Sequence, residues 1–301
     1  MKFGVMLPHF RHLASPQNIR RVAEAAEGLG YDSIWISDHI VIPNPYVERF
    51  GAVFYEALVV LAYVAAVTRK ARLGTSVLIL PYRHPLLLAK QAATLDHLSG
   101  GRLILGAAAG WCQEEFESLG VPFGERGERS DETLKGLLAA WSQEEPAFEG
   151  RFFRFRGAKA LPHPLQRPRP PLWVGGNSRR AQRRAVELGD AWHPTRPSPQ
   201  DILTGRENIR RLAERRGRSL DGFVIAARHP MKVTDSPLES QWPLIGTADQ
   251  VSKGLEAFQK AGAEHFVLDT FYSAPELYGE TVEDVLRTLE RFAQRVARRF
   301  G

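Results

Sequence analysis

The chain of 301 residues contains a single cysteine, Cys112. One thiol cannot build an intrachain disulfide framework or a thiolate-rich metal cluster, and its scarcity fits a reducing compartment. No long hydrophobic run is present. The longest, Ala57 to Val67, is too short to cross about 30 Å of hydrocarbon as a helix. The start, Met1 to Pro8, carries one basic residue and a short apolar run cut by proline, which is not the pattern of a secretory signal. A cytoplasmic protein without membrane contact is expected. Neither the dinucleotide turn G-x-G-x-x-G nor the phosphate loop G-x-x-x-x-G-K-[ST] occurs. No basic tail or aromatic-interleaved basic stripe is present either, which argues against nucleic acid as a partner.

Hydrophobic residues make up 44% of the chain and charged residues 25%, with Gly 26 and Pro 20. This composition excludes disordered, collagenous and low-complexity classes. The formal charge is +6, and with only eight lysines, 32 of the 40 basic residues are arginine. Arginine suits bidentate recognition of phosphate and carboxylate. An anionic small ligand, or plain surface solvation, accounts for this excess better than nucleic acid does.

Short apolar runs alternate with helix-period segments along the whole chain. Strands are expected at Phe3–Leu7, Ser33–Ile36, Ala71–Leu78, Leu103–Ala108, Pro171–Val174, Asp190–His193, Phe223–Arg228 and His265–Asp269. Between them lie helices at about 16–29, 55–68, 85–98, 130–142, 178–188, 199–216, 247–261 and 281–299. The first has Ser15 as its N-cap, Pro16 in its first turn and Gly30 after its end. Eight such units are the count of a closed (β/α)8 barrel, an α/β fold whose strands are apolar on both faces because helices cover the sheet. An open doubly wound sheet is the alternative, and it lacks its usual glycine signature here. Residues 1–301 read as one barrel domain with an insertion at about 145–170. That insertion comprises a hairpin around Phe148–Phe155 and a proline-rich connector from Pro162 to Pro170.

In such a barrel the reactive groups sit at the C-terminal ends of the strands. His9, His39, His193 and His229 all fall there. A metal site is not expected, since no H-E-x-x-H or close carboxylate–histidine pattern accompanies them. His84, His97, His163 and His265 read as ordinary hydrogen-bonded side chains. Asp38 and His39, adjacent at the end of the second strand, are the candidate catalytic residues. Gly175-Gly176-Asn177 follows the fifth strand and opens a helix that begins with Arg179 and Arg180. Bare backbone admits a ligand closely, helix N-terminal N–H groups attract phosphate, and a bound anion would offset two arginines placed against the helix dipole. A tight turn with a solvated arginine pair is the ordinary alternative. Gly106 to Gly110 is a small-residue strand end, explained by barrel packing but also compatible with a planar ring lying on it.

These residues resemble a known family. The segments Trp35-Ile36-Ser37-Asp38-His39, Leu73-Gly74-Thr75-Ser76-Val77, Ala89-Lys90-Gln91-Ala92-Ala93-Thr94-Leu95-Asp96, Gly110-Trp111 and Trp173-Val174-Gly175-Gly176-Asn177 are similar to the bacterial luciferase-like monooxygenase superfamily. Leu119-Gly120-Val121-Pro122-Phe123 and Phe148-Glu149-Gly150 resemble its coenzyme F420-dependent oxidoreductase branch.

The resemblance implies a (β/α)8 barrel, a homodimer and a ring cofactor, F420 or FMN, in the barrel mouth. It implies His39 as proton donor or acceptor, with Asp38 as cofactor contact or charge partner. It further implies a cis peptide at Ser76-Val77 against the ring. Gly110 is expected by the ring, and Gly175, Gly176, Asn177 and Arg179 are expected at the phosphate. The expected reaction is hydride transfer between F420, whose anionic tail suits a basic chain, and a small organic substrate. The alternative is a two-component FMN monooxygenase using O2 and a separate reductase. A cofactor carrier without catalysis is a third reading.

Two positions depart from the F420 pattern. Ile42-Pro43-Asn44-Pro45 replaces a tryptophan found in some F420 relatives. Trp111 stands where some carry a glutamate. Glu114 and Glu115 are next in line for that role, but a helical surface position is expected for both.

Overall fold

A computed structural model describes residues 1–301. The strands are β1 (Lys2–Met6), β2 (Ser33–Ile36), β3 (Arg72–Thr75), β4 (Leu78–Ile79), β5 (Leu103–Ala108), β6 (Phe148–Glu149), β7 (Arg154–Phe155), β8 (Leu172–Gly175), β9 (Ala191–His193), β10 (Val224–Pro230), β11 (Lys232–Thr234), β12 (Ile245–Thr247) and β13 (His265–Asp269). The principal sheet runs β3-β2-β1-β13-β10-β9-β8-β5-β4, and β3 also pairs with β5, which closes the ring. Every pairing in it is parallel, with Lys2 opposite His265, Ser33 opposite Arg72 and Leu73 opposite Leu103. Since β4 continues the path of β3, the ring is an eight-stranded parallel barrel.

Helices α1 (Pro16–Gly28), α2 (Val47–Phe50), α3 (Ala57–Val67), α4 (Pro85–Leu98), α5 (Gln113–Ser118), α6 (Arg126–Ser142), α7 (Arg179–Leu188), α8 (Pro199–Arg216), α9 (Ala248–Ala261) and α10 (Val282–Arg295) alternate with the strands. Ser15 caps α1 by accepting from the Asn18 N–H. The strands are buried on both faces because helices pack outside and side chains fill the lumen.

The lumen is plugged by a polar-edged aromatic layer. The rings of Trp35 and Trp173 lie 4.7 Å apart. Trp35 Nε1 donates to Ser33 Oγ at 2.7 Å, and that hydroxyl shares a 2.9 Å hydrogen bond with His265 Nε2. A Cβ at Gly4 or Gly74 would come within 2.3 Å of the Trp35 side chain, so glycine at both positions makes room for the indole. This layer separates the C-terminal mouth from the opposite end. A cavity of about 1650 Å³ lies at that opposite end, lined by Lys2, Arg72, Arg169 and Arg206 among others. No helix is long and apolar enough to cross a membrane.

Three elements differ from the sequence expectation. Ala71–Leu78 is not one strand: Ser76 and Val77 leave the ladder between β3 and β4, and the peptide joining them is cis. The parallel pair β11–β12 has three residues in each strand, too few to show a period. Helix α5, six residues long, is likewise too short for a helical stripe. Between α6 and β8, the antiparallel pair β6–β7 forms the hairpin, with Phe148 opposite Phe155.

Candidate active site

The end of β2 is fixed to the bulge that follows β3. Ser76 N–H donates to Ile36 O at 2.7 Å. Asp38 is buried and does not pair with His39. Its carboxylate receives a bidentate pair from Arg83, at 2.6 and 2.9 Å, and the Ile79 N–H at 2.9 Å. Arg83 also reaches Glu56 at 3.2 Å. The charge partner expected for His39 therefore ties β2 to the chain beyond the bulge instead.

The partner of His39 is Glu115. His39 Nδ1 donates to Glu115 Oε2 at 2.6 Å, and the carboxylate is completely buried. Its other oxygen accepts the N–H groups of Ile40 and Val41 at 2.7 and 3.3 Å. The expectation of a surface position for Glu115 is corrected by this geometry. Helix α5 is anchored by the fully buried Phe116, and the same turn sends Glu115 inward under the end of β2. Two signals pointed to it: its place in the loop after the fourth barrel strand, because such loops face the mouth, and the glutamate that some F420 relatives carry where Trp111 stands, for which Glu115 is next in line.

With Nδ1 engaged by Glu115, Nε2 is the ring nitrogen of His39 that Glu115 does not hold. Phe54, Phe50 and Trp111 surround the ring, with centroids 5.2, 5.3 and 5.8 Å away. The Tyr82 phenol is pushed up strongly by burial and by the nearby Glu115 charge, so it stays protonated.

The remaining strand-end histidines are neutral. Burial lowers His9 and His193 to about 3 and His229 to about 4, with Arg228 adding to the first two. His9 bonds Leu7 O at 2.8 Å and Ser37 Oγ at 3.1 Å, while His193 Nε2 shares a 2.8 Å hydrogen bond with Ser76 Oγ. Arg228 donates to Ser76 O at 3.1 Å and to Asp269 at 2.5 Å. Three buried polar atoms near these strand ends have no partner: His193 Nδ1, Arg228 Nε and Thr270 Oγ1.

The turn after β8 lies on the same ring of strand ends. A Cβ on Gly175 would stand 2.7 Å from Val77 Cγ1, so this glycine makes room for the bulge. Gly176, at φ +114°, is held by the Trp192 indole donating to its carbonyl at 2.8 Å. The Asn177 side chain donates to Thr195 O and accepts from Thr195 N–H, both at 3.0 Å, and so clamps the next loop. Ser178 caps α7, and Arg179 is exposed beside it. Gly110, at φ +80°, ends a half-buried wall with Ala108 and Ala109. The structure thus sets Val77 close against Gly175 and ties Ser76 to the end of β2, while Asp38 is held by Arg83 and Ile79, and Asn177 and Arg179 are exposed.

A closed eight-stranded parallel barrel with a cluster of buried polar groups on its strand ends is a TIM barrel of the luciferase-like type. The sequence profile of the luciferase-like monooxygenase family matches residues 1–241. The chain belongs to that family, whose members are oxidoreductases and monooxygenases.

The chain is 31% identical over 215 residues to an FMNH2-dependent dimethylsulfone monooxygenase of Pseudomonas putida, a match covering 69% of this chain and 57% of that one. It thus spans little more than half of that longer relative. An uncharacterized protein of Mycobacterium tuberculosis is 35% identical over 225 residues, covering 68% of this chain and 77% of the relative. In fold, the chain is similar to the monooxygenase RslO1 of Streptomyces bottropensis, with a TM-score of 0.87, 22% identity and full coverage of both chains. An F420-dependent secondary alcohol dehydrogenase superposes at 0.82 with 19% identity and 98% of both chains covered.

Proposed function

We propose that this chain is a ring-cofactor oxidoreductase in which His39 gives or takes the substrate proton and Glu115 holds its imidazole in place. The support is the buried His39–Glu115 pair, which fixes one tautomer and leaves Nε2 as the single exchangeable position. The mouth fits a planar ring with polar edges. Its wall at Ala108–Gly110 carries no bulky side chain, and Arg228 Nε and Thr270 Oγ1 are buried donors without acceptors. Val77 and Gly175 would bound the ring, with Ser76 held behind them. Gly176 and the start of α7 would receive the phosphate through backbone N–H groups, because the Asn177 amide is already engaged by Thr195. The Arg179 guanidinium stands free beside that helix start.

We assign coenzyme F420 as the cofactor, on the resemblance of Leu119–Phe123 and Phe148–Gly150 to the F420 branch and on the arginine-rich balance of the chain. When bound, the deazaflavin supplies hydride transfer and reduced FMN supplies oxygen activation. The identity with the FMNH2-dependent dimethylsulfone monooxygenase favours a second reading, an FMN monooxygenase served by a separate reductase. Parallel fluorescence titrations of the purified protein with F420 and FMN decide between them. Tight FMN binding with none for F420 removes the first reading. Binding of either ring with no turnover against any reductant–acceptor pair leaves a carrier.

Residues 1–301 are read as a single barrel domain with residues 145–170 as its insertion. The chain is read as a homodimer. Helix α3 is apolar on every side, yet Val59 is 69% and Tyr63 39% exposed. A helix apolar all round is normally covered, and a second copy is the proposed cover.

A further inference from the structure

Three arginines at the C-terminal mouth have no carboxylate partner. Arg11 follows β1, Arg49 lies in α2 and Arg196 follows β9. None of their guanidinium groups is within 4.0 Å of an acidic oxygen. Of the nearby acids, Asp269 is engaged by Arg228 and Glu280 by Lys232, while the exposed Glu48 beside Arg49 makes no ion pair with any of the three. Arg11 and Arg196 are also the two non-glycine residues with positive φ, at 63° and 51°. Backbone in that region costs a residue with a Cβ free energy, and it persists where the surroundings fix it for a purpose.

The surroundings of Arg11 are specific. Its N–H donates to Val53 O at 3.2 Å, and its Cα lies 2.9 Å from where a Cβ on Gly51 would stand. The 47–55 segment is thereby locked against the loop after β1. Arg11 and Arg49 consequently approach one ring, each with its guanidinium carbon 5.9 Å from the Tyr272 centroid. Arg11 also lies 4.5 Å from the Tyr278 centroid, and Arg196 donates to Ser273 O at 3.5 Å. Tyr272 is 5.2 Å from Phe50, which is 5.3 Å from His39. Arg11 Nη1 is buried without a hydrogen-bond partner. A buried cationic donor left unpaired is costly, and an oxyanion would satisfy it.

We infer that Arg11 and Arg49, with Arg196 behind Tyr272–Ser273, form a subsite for the carboxylate of an organic ligand whose flat or apolar body lies against Tyr272 and Phe50. The guanidinium fork matches a carboxylate bidentately, and the rings hold the cations by their faces. The carboxylate has two sources under the proposed function, on which the ligand's identity rests: an acidic substrate, or the glutamates of the F420 tail.

The test starts from cofactor-free protein, titrated by ligand-observed NMR with phenylacetate and with neutral phenylacetamide. Phenylacetate is expected to bind at least tenfold more tightly. Arg49→Gln, at an exposed position, and Arg11→Gln should each remove that preference and leave phenylacetamide unchanged. This result assigns the subsite to a substrate carboxylate. F420 with and without its glutamates is then titrated. A tail-dependent gain that Arg49→Gln abolishes assigns the subsite to the cofactor. Equal binding of the two probes, with F420 affinity unaltered in both variants, overturns the inference. If F420 fails to bind while the phenylacetate preference persists, the cofactor assignment falls and the subsite stands.

Discussion

His39 and Glu115 stand 76 residues apart in the sequence and 2.6 Å apart in the barrel mouth. The carboxylate simultaneously collects two backbone N–H groups just beyond the histidine, so side chain and chain path are set by one buried acid. Glu115→Gln keeps the shape and removes the charge. A charge-assisted hydrogen bond of this type contributes about 1.5–3 kcal/mol, or roughly ten- to a hundredfold in rate if it acts in the transition state. The variant should lose kcat by that factor, its pH–rate profile should move, and its circular dichroism should stay native. An unmoved pH profile would leave Glu115 only a structural role.

Asp38→Ala should act on stability. It leaves Arg83 in a buried position with the partly exposed Glu56 as its only ionic partner. Breaking a buried ion pair from one side costs about 3–5 kcal/mol. Urea unfolding should show a loss of that order. Native stability with abolished turnover would instead place Asp38 in the chemistry.

Gly175→Val should weaken cofactor binding at least tenfold, about 1.4 kcal/mol. The Cβ would stand 2.7 Å from Val77 Cγ1, so the new side chain displaces the bulge rather than the phosphate. The double variant Gly175→Val, Val77→Ala should therefore recover most of the affinity. Failure to recover in a folded protein would point to a phosphate gripped at Gly175 itself.

Four buried histidines couple stability to pH. His9, His193 and His265 are lowered to about 3 and His229 to about 4, each chiefly by burial. In the unfolded chain they titrate near 6.5. Between these values the unfolded state binds more protons, so stability rises with pH, is fully present above about 6.5 and is lost as pH falls toward 3–4. Each histidine contributes a slope of about 1.4 kcal/mol per pH unit within that window. Chemical denaturation at pH 7, 6 and 5 should show the steepening loss, and a flat curve would contradict the neutral assignment.

Val59→Glu and Tyr63→Glu on the outer face of α3 should convert a dimer to monomers in sedimentation velocity, with the secondary structure intact. A wild-type chain sedimenting as a monomer at micromolar concentration would show that nothing of its own kind covers this face.

The barrel was legible in the sequence because its signal is local. β2, β5 and β13 fall on the expected residues, as do α4 and α8, since each carries its own apolar period, cap or terminating glycine. Glycine and proline punctuation set the alternation, and a parallel barrel follows from eight such units. The strand-end location of His39 was readable for the same reason.

Partnership was not readable. Asp38, next to His39 in the chain, turns to Arg83. Glu115, apparently a surface glutamate on a short helix, fills that place. Likewise Gly175 makes room for Val77, and Asn177 binds Thr195. Pattern along a chain records which residues face inward, and so the amino-acid order alone determined the closed barrel and the end of it that carries polar chemistry. Which inward groups meet depends on how eight strand ends and their loops are arranged around a ring. Only the tertiary structure decided that a buried acid from the fourth loop, and not the adjacent aspartate, orients the histidine.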